Sequence, residues 1–213
     1  MANINNIVQE AKRLLKKQPY DVAHDLAHHE GVWKTAREVV KGAKISVDFK
    51  ALKIAAFWHD VVVDAKKQQR KLGERNVITR EACGRVAGLL RENDFSKDFI
   101  EKVVLAIEYH GFSQRPVNNE GKVLWDADKL EALNWQRWKK IYGSFKHGEM
   151  DKEQFGRYVE AGKRFFKNMR QRYNFDYSRK LHDKRLEDLL GNKRAVGVMQ
   201  QIGREFFELL RVS

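Results

Sequence analysis

Ala55-Ala56-Phe57-Trp58-His59-Asp60 is an apolar run that ends abruptly in a histidine and an acid. On a helix, successive side chains point about 100° apart, so His59 and Asp60 pair poorly with each other. They can instead converge on a third body in a groove beside the helix. A divalent metal is the usual third body for an imidazole and a carboxylate. A helix-ending histidine beside a solvated acid is the plainer reading of the dipeptide alone, so the surrounding chain has to decide between the two.

Working upstream, Phe49 to Asp60 reads as one helix. Before it, Ala23-His24-Asp25-Leu26-Ala27-His28-His29 enters a helix that runs to about Gly42. Its inner stripe is His28, Val32, Thr35, Ala36 and Val39, while His29 and Glu30 turn away. Residues 3–17 form a first helix with Ile4, Ile7, Ala11, Leu14 and Leu15 on one face. Lys16, Lys17 and Pro19 close it.

Downstream, Val61-Val62-Val63-Asp64 continues the apolar run. Ala65 to Asn76 is polar and basic without a helical stripe, which marks a loop. Its Lys66, Lys67 and Arg70 would suit phosphate beside a metal. Thr79 to Asn93 is a fourth helix with Cys83, Val86, Ala87 and Leu90 inward. Ser96 caps a fifth, whose stripe of Ile100, Val103, Val104 and Ile107 is extended by His110 before Gly111 ends it. A loop from Gly111 to Gly121 carries Arg115 and Pro116. Asp126 is a natural N-cap, which places Asp128 in the first turn of the next helix, pointing inward beside Trp125 and Leu130. A carboxylate among apolar residues needs a metal or a basic partner.

Trp135 to Ser213 reads as three or four further helices. Asp151 to Gln154 resembles a capping box, followed by Phe155, Tyr158, Val159, Phe165, Phe166 and Met169. Leu181 to Leu190 is another helix, stopped by Gly191. The last runs from Ala195 to Leu210, with Met199, Ile202, Phe206 and Leu209 inward. The aromatic residues are most simply core, and the interleaved Lys163, Arg164, Lys167, Arg170 and Arg172 a solvated side, with a nucleic-acid face as the alternative.

The composition agrees with an all-α protein. The chain has 213 residues, 42% hydrophobic and 33% charged, with only two prolines. That is a globular balance, long enough to bury a core. The single cysteine, Cys83, excludes an internal disulfide framework and fits a reducing compartment. Neither a signal peptide nor an apolar run of about 18 residues is present, so the expected location is the cytoplasm with no membrane partner. Net charge is +13, and residues 135–213 carry 19 basic against 10 acidic side chains, a surplus of 9. Such a balance favours polyanionic partners.

His28, His59, Asp60 and Asp128 thus each fall at an inward position near a helix end or break. Two imidazoles and two carboxylates suit one divalent transition metal with open water positions. No cysteine cluster supports structural zinc. A bound metal would lower the pKa of a water and orient a phosphoryl group.

These blocks resemble the HD-domain superfamily of metal-dependent phosphohydrolases, whose pattern is an isolated His, then His-Asp, then a distant Asp on a helical bundle. His24-Asp25-Leu26-Ala27-His28 with Val32 resembles its first block, Ala55 to Asp60 the name-giving helix, and Asp126-Ala127-Asp128-Lys129-Leu130 the last. Ala106 to His110 is similar to a segment whose His lines the pocket. The likeness covers residues 20–135. It implies an HD-domain helical bundle over 1–134, with a basic C-terminal helical extension over 135–213 packed on it. It implies metal ligation by His28, His59, Asp60 and Asp128. Mn²⁺ is the leading metal, and Fe²⁺, Co²⁺, Ni²⁺ and Mg²⁺ are compatible. Only His110 lies between the His-Asp pair and Asp128, which favours one metal over two. The implied reaction is hydrolysis of a phosphoester or phosphoanhydride, with a nucleotide as the expected substrate. Asp64 would orient or deprotonate the water, and His110 would contact substrate or assist the leaving group. Lys66, Lys67, Arg70 and Arg115 would neutralise phosphate. The competing expectations are a nucleic-acid-binding protein and a nucleotide sensor with a non-hydrolytic core.

Overall fold

A computed structural model describes residues 4–17, 19–63 and 75–203, with side chains from residue 77 onward in the last stretch. Among the described residues the chain forms ten α-helices and no strand, as the helical spacing of its apolar residues requires. It divides into two compact units, Met1–Asp128 and Lys129–Ser213.

The first unit holds α1 (Ile4–Lys17), α2 (Leu26–Ala43), α3 (Phe49–Trp58), α4 (Arg75–Glu92), α5 (Lys97–Glu108) and most of α6 (Asn119–Leu130). Its centre is α3. Seven of its ten residues, Ala51, Leu52 and Ile54 to Trp58, are buried, so it is apolar nearly all round and packs against α1, α2, α4 and α5. Asp48 caps it, its carboxylate accepting from the Lys50 and Ala51 amides. At the other end, Trp58 Nε1–H donates to the Ile7 carbonyl of α1 at 3.0 Å. That bond satisfies a buried indole and pins the point where the chain leaves the core. His59 and Asp60 therefore lie just past the end of α3, not inside it.

The expected stripes of α1, α2, α4 and α5 are buried in outline. Ser96 caps α5, accepting from the Phe99 amide. Two ends differ from the sequence reading. Helix α4 begins at Arg75 rather than Thr79. Helix α5 ends at Glu108 with Tyr109 as its cap, so His110 stands beyond the helix and Gly111 does not stop it. The larger correction concerns α6. Asp126 is not its N-cap, and Asp128 is not in its first turn. The helix begins at Asn119, because Asn118 Oδ1 accepts the Gly121 amide at 2.7 Å. Asp126 and Asp128 lie toward its C-terminal end. Glu120 Oε1 takes the Asp48 amide at 2.7 Å and ties α6 to the start of α3. Gly121 permits the approach to α5: a Cβ there would lie 3.3 Å from the Ala106 Cα.

The second unit holds α7 (Trp135–Lys146), α8 (Lys152–Arg172), α9 (Asp176–Gly191) and α10 (Lys193–Ile202). The capping box at Asp151 and Gln154 is present in full. Phe166 and Met169 are core, with Trp138, Ile141, Leu189 and Met199. Helix α9 starts at Asp176, ahead of the expected Leu181. Phe206 and Leu209, expected on the last helix, lie outside the described residues. Of the basic side chains on α8, Lys163 pairs with Glu160 at 2.9 Å and Arg170 grips Asp183 through two bonds of 2.7 and 2.8 Å. No helix among the described residues is long and apolar enough to cross a membrane.

Candidate metal centre

Four breaks in the helical framework of the first unit deliver the candidate side chains. The first is the start of α2. Asp25 caps it, its Oδ1 accepting the His28 amide at 3.0 Å, so the cap sets the backbone from which His28 projects. The turn just before supplies His24. The second break is the end of α3, which supplies His59 and Asp60. The third follows α5 and supplies His110; the neighbouring Gly111 carbonyl accepts from Trp125 Nε1–H at 3.2 Å and from the Gln114 amide at 3.0 Å. The fourth is the end of α6, with Asp128. All six residues are buried, and none exceeds 7% exposure over the whole residue.

The donors converge. His28 Nε2 lies 3.3 Å from Asp128 Oδ1, and His59 Nε2 lies 3.8 Å from the same oxygen. His59 Nε2 and His24 Nε2 are each 3.7 Å from Asp60 Oδ2. His110 Nε2 is 3.2 Å from Asp60 Oδ1. Nitrogen and oxygen ligands sit about 2.0–2.2 Å from a divalent ion, so neighbouring donors on one ion lie roughly 3–4.4 Å apart. The observed separations fall in that range. Two overlapping groups have the spacing to hold an ion: His28, His59 and Asp128, and His24, His28 and Asp60.

The proton positions favour the same reading. A neutral imidazole has one N–H and one lone pair, and the partner of one nitrogen decides the role of the other. His59 Nδ1–H donates to the Ala56 carbonyl at 3.0 Å. His24 Nδ1–H donates to Asp21 Oδ1 at 2.7 Å, and His110 Nδ1–H donates to the Ile107 carbonyl. In a neutral ring so held, Nε2 turns a lone pair toward the carboxylate oxygen it faces. Acceptor facing acceptor is repulsive unless a proton or a cation lies between them. For His59 a proton is disfavoured. Its ring is fully buried, and loss of water holds its pKa well below the ordinary range. His59 Nε2 is buried with no hydrogen-bond partner among the described residues. A divalent cation fits this donor set. The C-terminal end of α3, with its partial negative charge, favours one there as well.

His29 departs from the expectation that it faces outward. It is 0% exposed. Its Nδ1–H donates to the Asp25 carbonyl at 3.0 Å, and its ring lies 4.5 Å from that of His59. Burial pushes its pKa down to about 4, with nearby acids opposing. It backs His59 rather than joining either donor group. The apolar stripe of α2 is wide enough to include it: Val40, on the same side, is buried too. His24 was also missed as a site residue. The signal available was its spacing four residues before His28, which brings the two rings edge-on 5.3 Å apart.

Of the other expected site residues, Arg115 is exposed. Asp64, Lys66, Lys67 and Arg70 lie outside the described residues. Cys83 is core, and burial pushes its thiol up to about 12, so it is no thiolate ligand.

The family model for the HD domain matches residues 9–133 of this chain, which spans every residue of the two donor groups. No curated protein matches the sequence. Solved structures share the fold. A protein from Lactobacillus plantarum is 18% identical with a TM-score of 0.62, over 98% of this chain and 95% of its own. YpgQ of Bacillus subtilis, solved in complex with ADP, is 22% identical with a TM-score of 0.60, over 88% and 92%. A predicted HD superfamily hydrolase from an uncultured Thermotogales bacterium is 24% identical with a TM-score of 0.53, over 88% and 85%.

Proposed function

This chain belongs to the HD domain family, and we propose that it is a metal-dependent hydrolase that cleaves a phosphoester or phosphoanhydride bond of a nucleotide. The observation that carries the reading is the convergence of His28 and His59 Nε2 on Asp128 Oδ1, with Asp60 Oδ2 alongside and the His59 nitrogen buried without a partner among the described residues. In this reading His28, His59, Asp60 and Asp128 hold one divalent cation, with Mn²⁺ as the leading candidate. When bound, such an ion supplies a water of lowered pKa and a Lewis acid for a phosphoryl oxygen.

The residues divide the remaining work. Two neutral imidazoles and two carboxylates offset the charge of a divalent ion, so the pocket does not repel a polyanion. A chain of net charge +13 draws one in. His110, held through Nδ1 beside Asp60, is placed in this reading to contact the substrate or assist the leaving group. Asp64 is assigned the orientation of the attacking water, and Lys66, Lys67, Arg70 and Arg115 the neutralisation of phosphate charge. ADP in the YpgQ structure supports the choice of a nucleotide.

A release assay for phosphate and pyrophosphate tests this. Nucleoside mono-, di- and triphosphates and guanosine alarmones are offered with Mn²⁺, with chelator, and to Asp60→Ala. Turnover that requires metal and disappears in the variant is the expected result. Metal retention without turnover of any nucleotide would instead point to a nucleotide sensor, or to a nucleic-acid-binding protein working through its basic C-terminal helices.

A further inference from the structure

We infer that His24, outside the four-residue set, is a further ligand of this centre, bonding the cation on its Asp60 side through Nε2. The inference rests on the metal-centre reading above and extends it by one residue. Three observations on the ring support it. Its Nε2 stands 3.7 Å from Asp60 Oδ2, the same separation as His59 Nε2, so the two imidazoles flank one carboxylate oxygen symmetrically. His24, His28 and Asp60 have donor atoms close enough together to hold an ion, a group in which His24 stands outside the four expected ligands. The ring is also pre-set for ligation.

That pre-setting comes from Asp21. Its Oδ1 accepts the Ala23 amide at 2.8 Å, the His24 amide at 3.0 Å and the His24 Nδ1–H at 2.7 Å. Two backbone bonds fix the carboxylate, and the fixed carboxylate fixes the ring. A carboxylate on the far nitrogen is the usual outer-shell partner of a metal-bound histidine, since it selects the tautomer and raises the basicity of the ligating nitrogen. Edge-on contacts with Tyr20 at 5.4 Å and His28 at 5.3 Å restrict rotation of the ring. The side chain is 10% exposed, so bulk water competes little for its nitrogen. The alternative, a charged His24 bridging Asp21 and Asp60 with no metal bond, predicts a different spectrum.

The test counts coordinated imidazoles. In Co²⁺-loaded protein, each histidine bound through Nε2 gives one strongly shifted, exchangeable Nδ1–H resonance in proton NMR. The parent is expected to show one more such resonance than either His24→Ala or His24→Gln. Co²⁺ and Mn²⁺ titrations should show affinity reduced at least about tenfold in both variants. Asp21→Asn should keep the resonance and weaken affinity by about 10- to 100-fold, the range for outer-shell partners. The glutamine variant keeps the space filled, and melting curves report its folding. An unchanged number of resonances in both His24 variants overturns the inference while leaving the metal centre standing. A parent that binds neither ion overturns both.

Discussion

Replacing His59 by leucine should leave the metal-free protein as stable as the parent, or more so, while removing its response to divalent cations. His59 is 0% exposed, and exchanging a fully buried side chain ordinarily destabilises. Here the balance differs. A buried polar atom left without a partner costs about 1–3 kcal/mol, and His59 Nε2 is such an atom among the described residues. The substitution removes that cost. It also removes the Nδ1–H bond to the Ala56 carbonyl at 3.0 Å, a neutral bond worth about 0.5–1.5 kcal/mol. Leucine is close to histidine in volume, so the change of cavity is small. The net lies between about −0.5 and 2.5 kcal/mol in favour of leucine. The parent, by contrast, gains about 2.7 kcal/mol from an ion present at 100 times its Kd. For a chain of this length a kcal/mol moves the melting temperature by about 2–4 °C, which gives roughly 5–11 °C. Thermal melts of both proteins, with Mn²⁺ and with chelator, read both effects. A metal-free variant melting several degrees below the parent would refute the claim that the nitrogen is unsatisfied. A variant that keeps the Mn²⁺ shift would refute His59 as a ligand.

Asp25→Ala removes the α2 cap and should cost about 1 kcal/mol in urea denaturation; because Asp25 Oδ1 holds the His28 amide, ion affinity should fall with it, and Asp25→Asn should restore most of both. His182 supplies a pH test away from the metal centre. Burial holds its imidazole below the ordinary range, with Asp183 pulling it up and Arg170 pushing it down. The unfolded chain therefore takes up this proton first, so the stability contribution is complete above about pH 6.5. It is lost as pH falls from there toward the folded value, at up to about 1.4 kcal/mol per pH unit. Urea midpoints between pH 8 and 5 should fall more steeply for the parent than for His182→Leu; parallel curves would show that the ring is not held neutral by burial.

Local signals were legible where a single side chain decides a helix end. Ser96, and Asp151 with Gln154, cap as their spacing requires, because a cap needs only a nearby acceptor and the orphan amides of its own first turn. The same logic misled at α6. Asp126 and Asn118 are both acceptable caps, and the sequence offers no reason to prefer one. Asn118 takes the role in a chain where Glu120 bonds the Asp48 amide and Gly121 meets α5. Those partners are 72 and 15 residues away. At Gly111 a residue able to stop a helix was credited with doing so, although α5 had already ended at Glu108.

The sequence alone determined the helical class and the central apolar run of α3, and its resemblance to a family singled out His28, His59, Asp60 and Asp128. Periodicity and residue chemistry are properties of a single segment. Tertiary structure decided what surrounds those four. His24 joins them because Asp21 turns its ring toward Asp60, a carboxylate 36 positions along the chain. His29 is buried because its ring packs on that of His59. Both are contacts made only when α2 is laid beside the end of α3, and no pattern within either helix encodes that crossing.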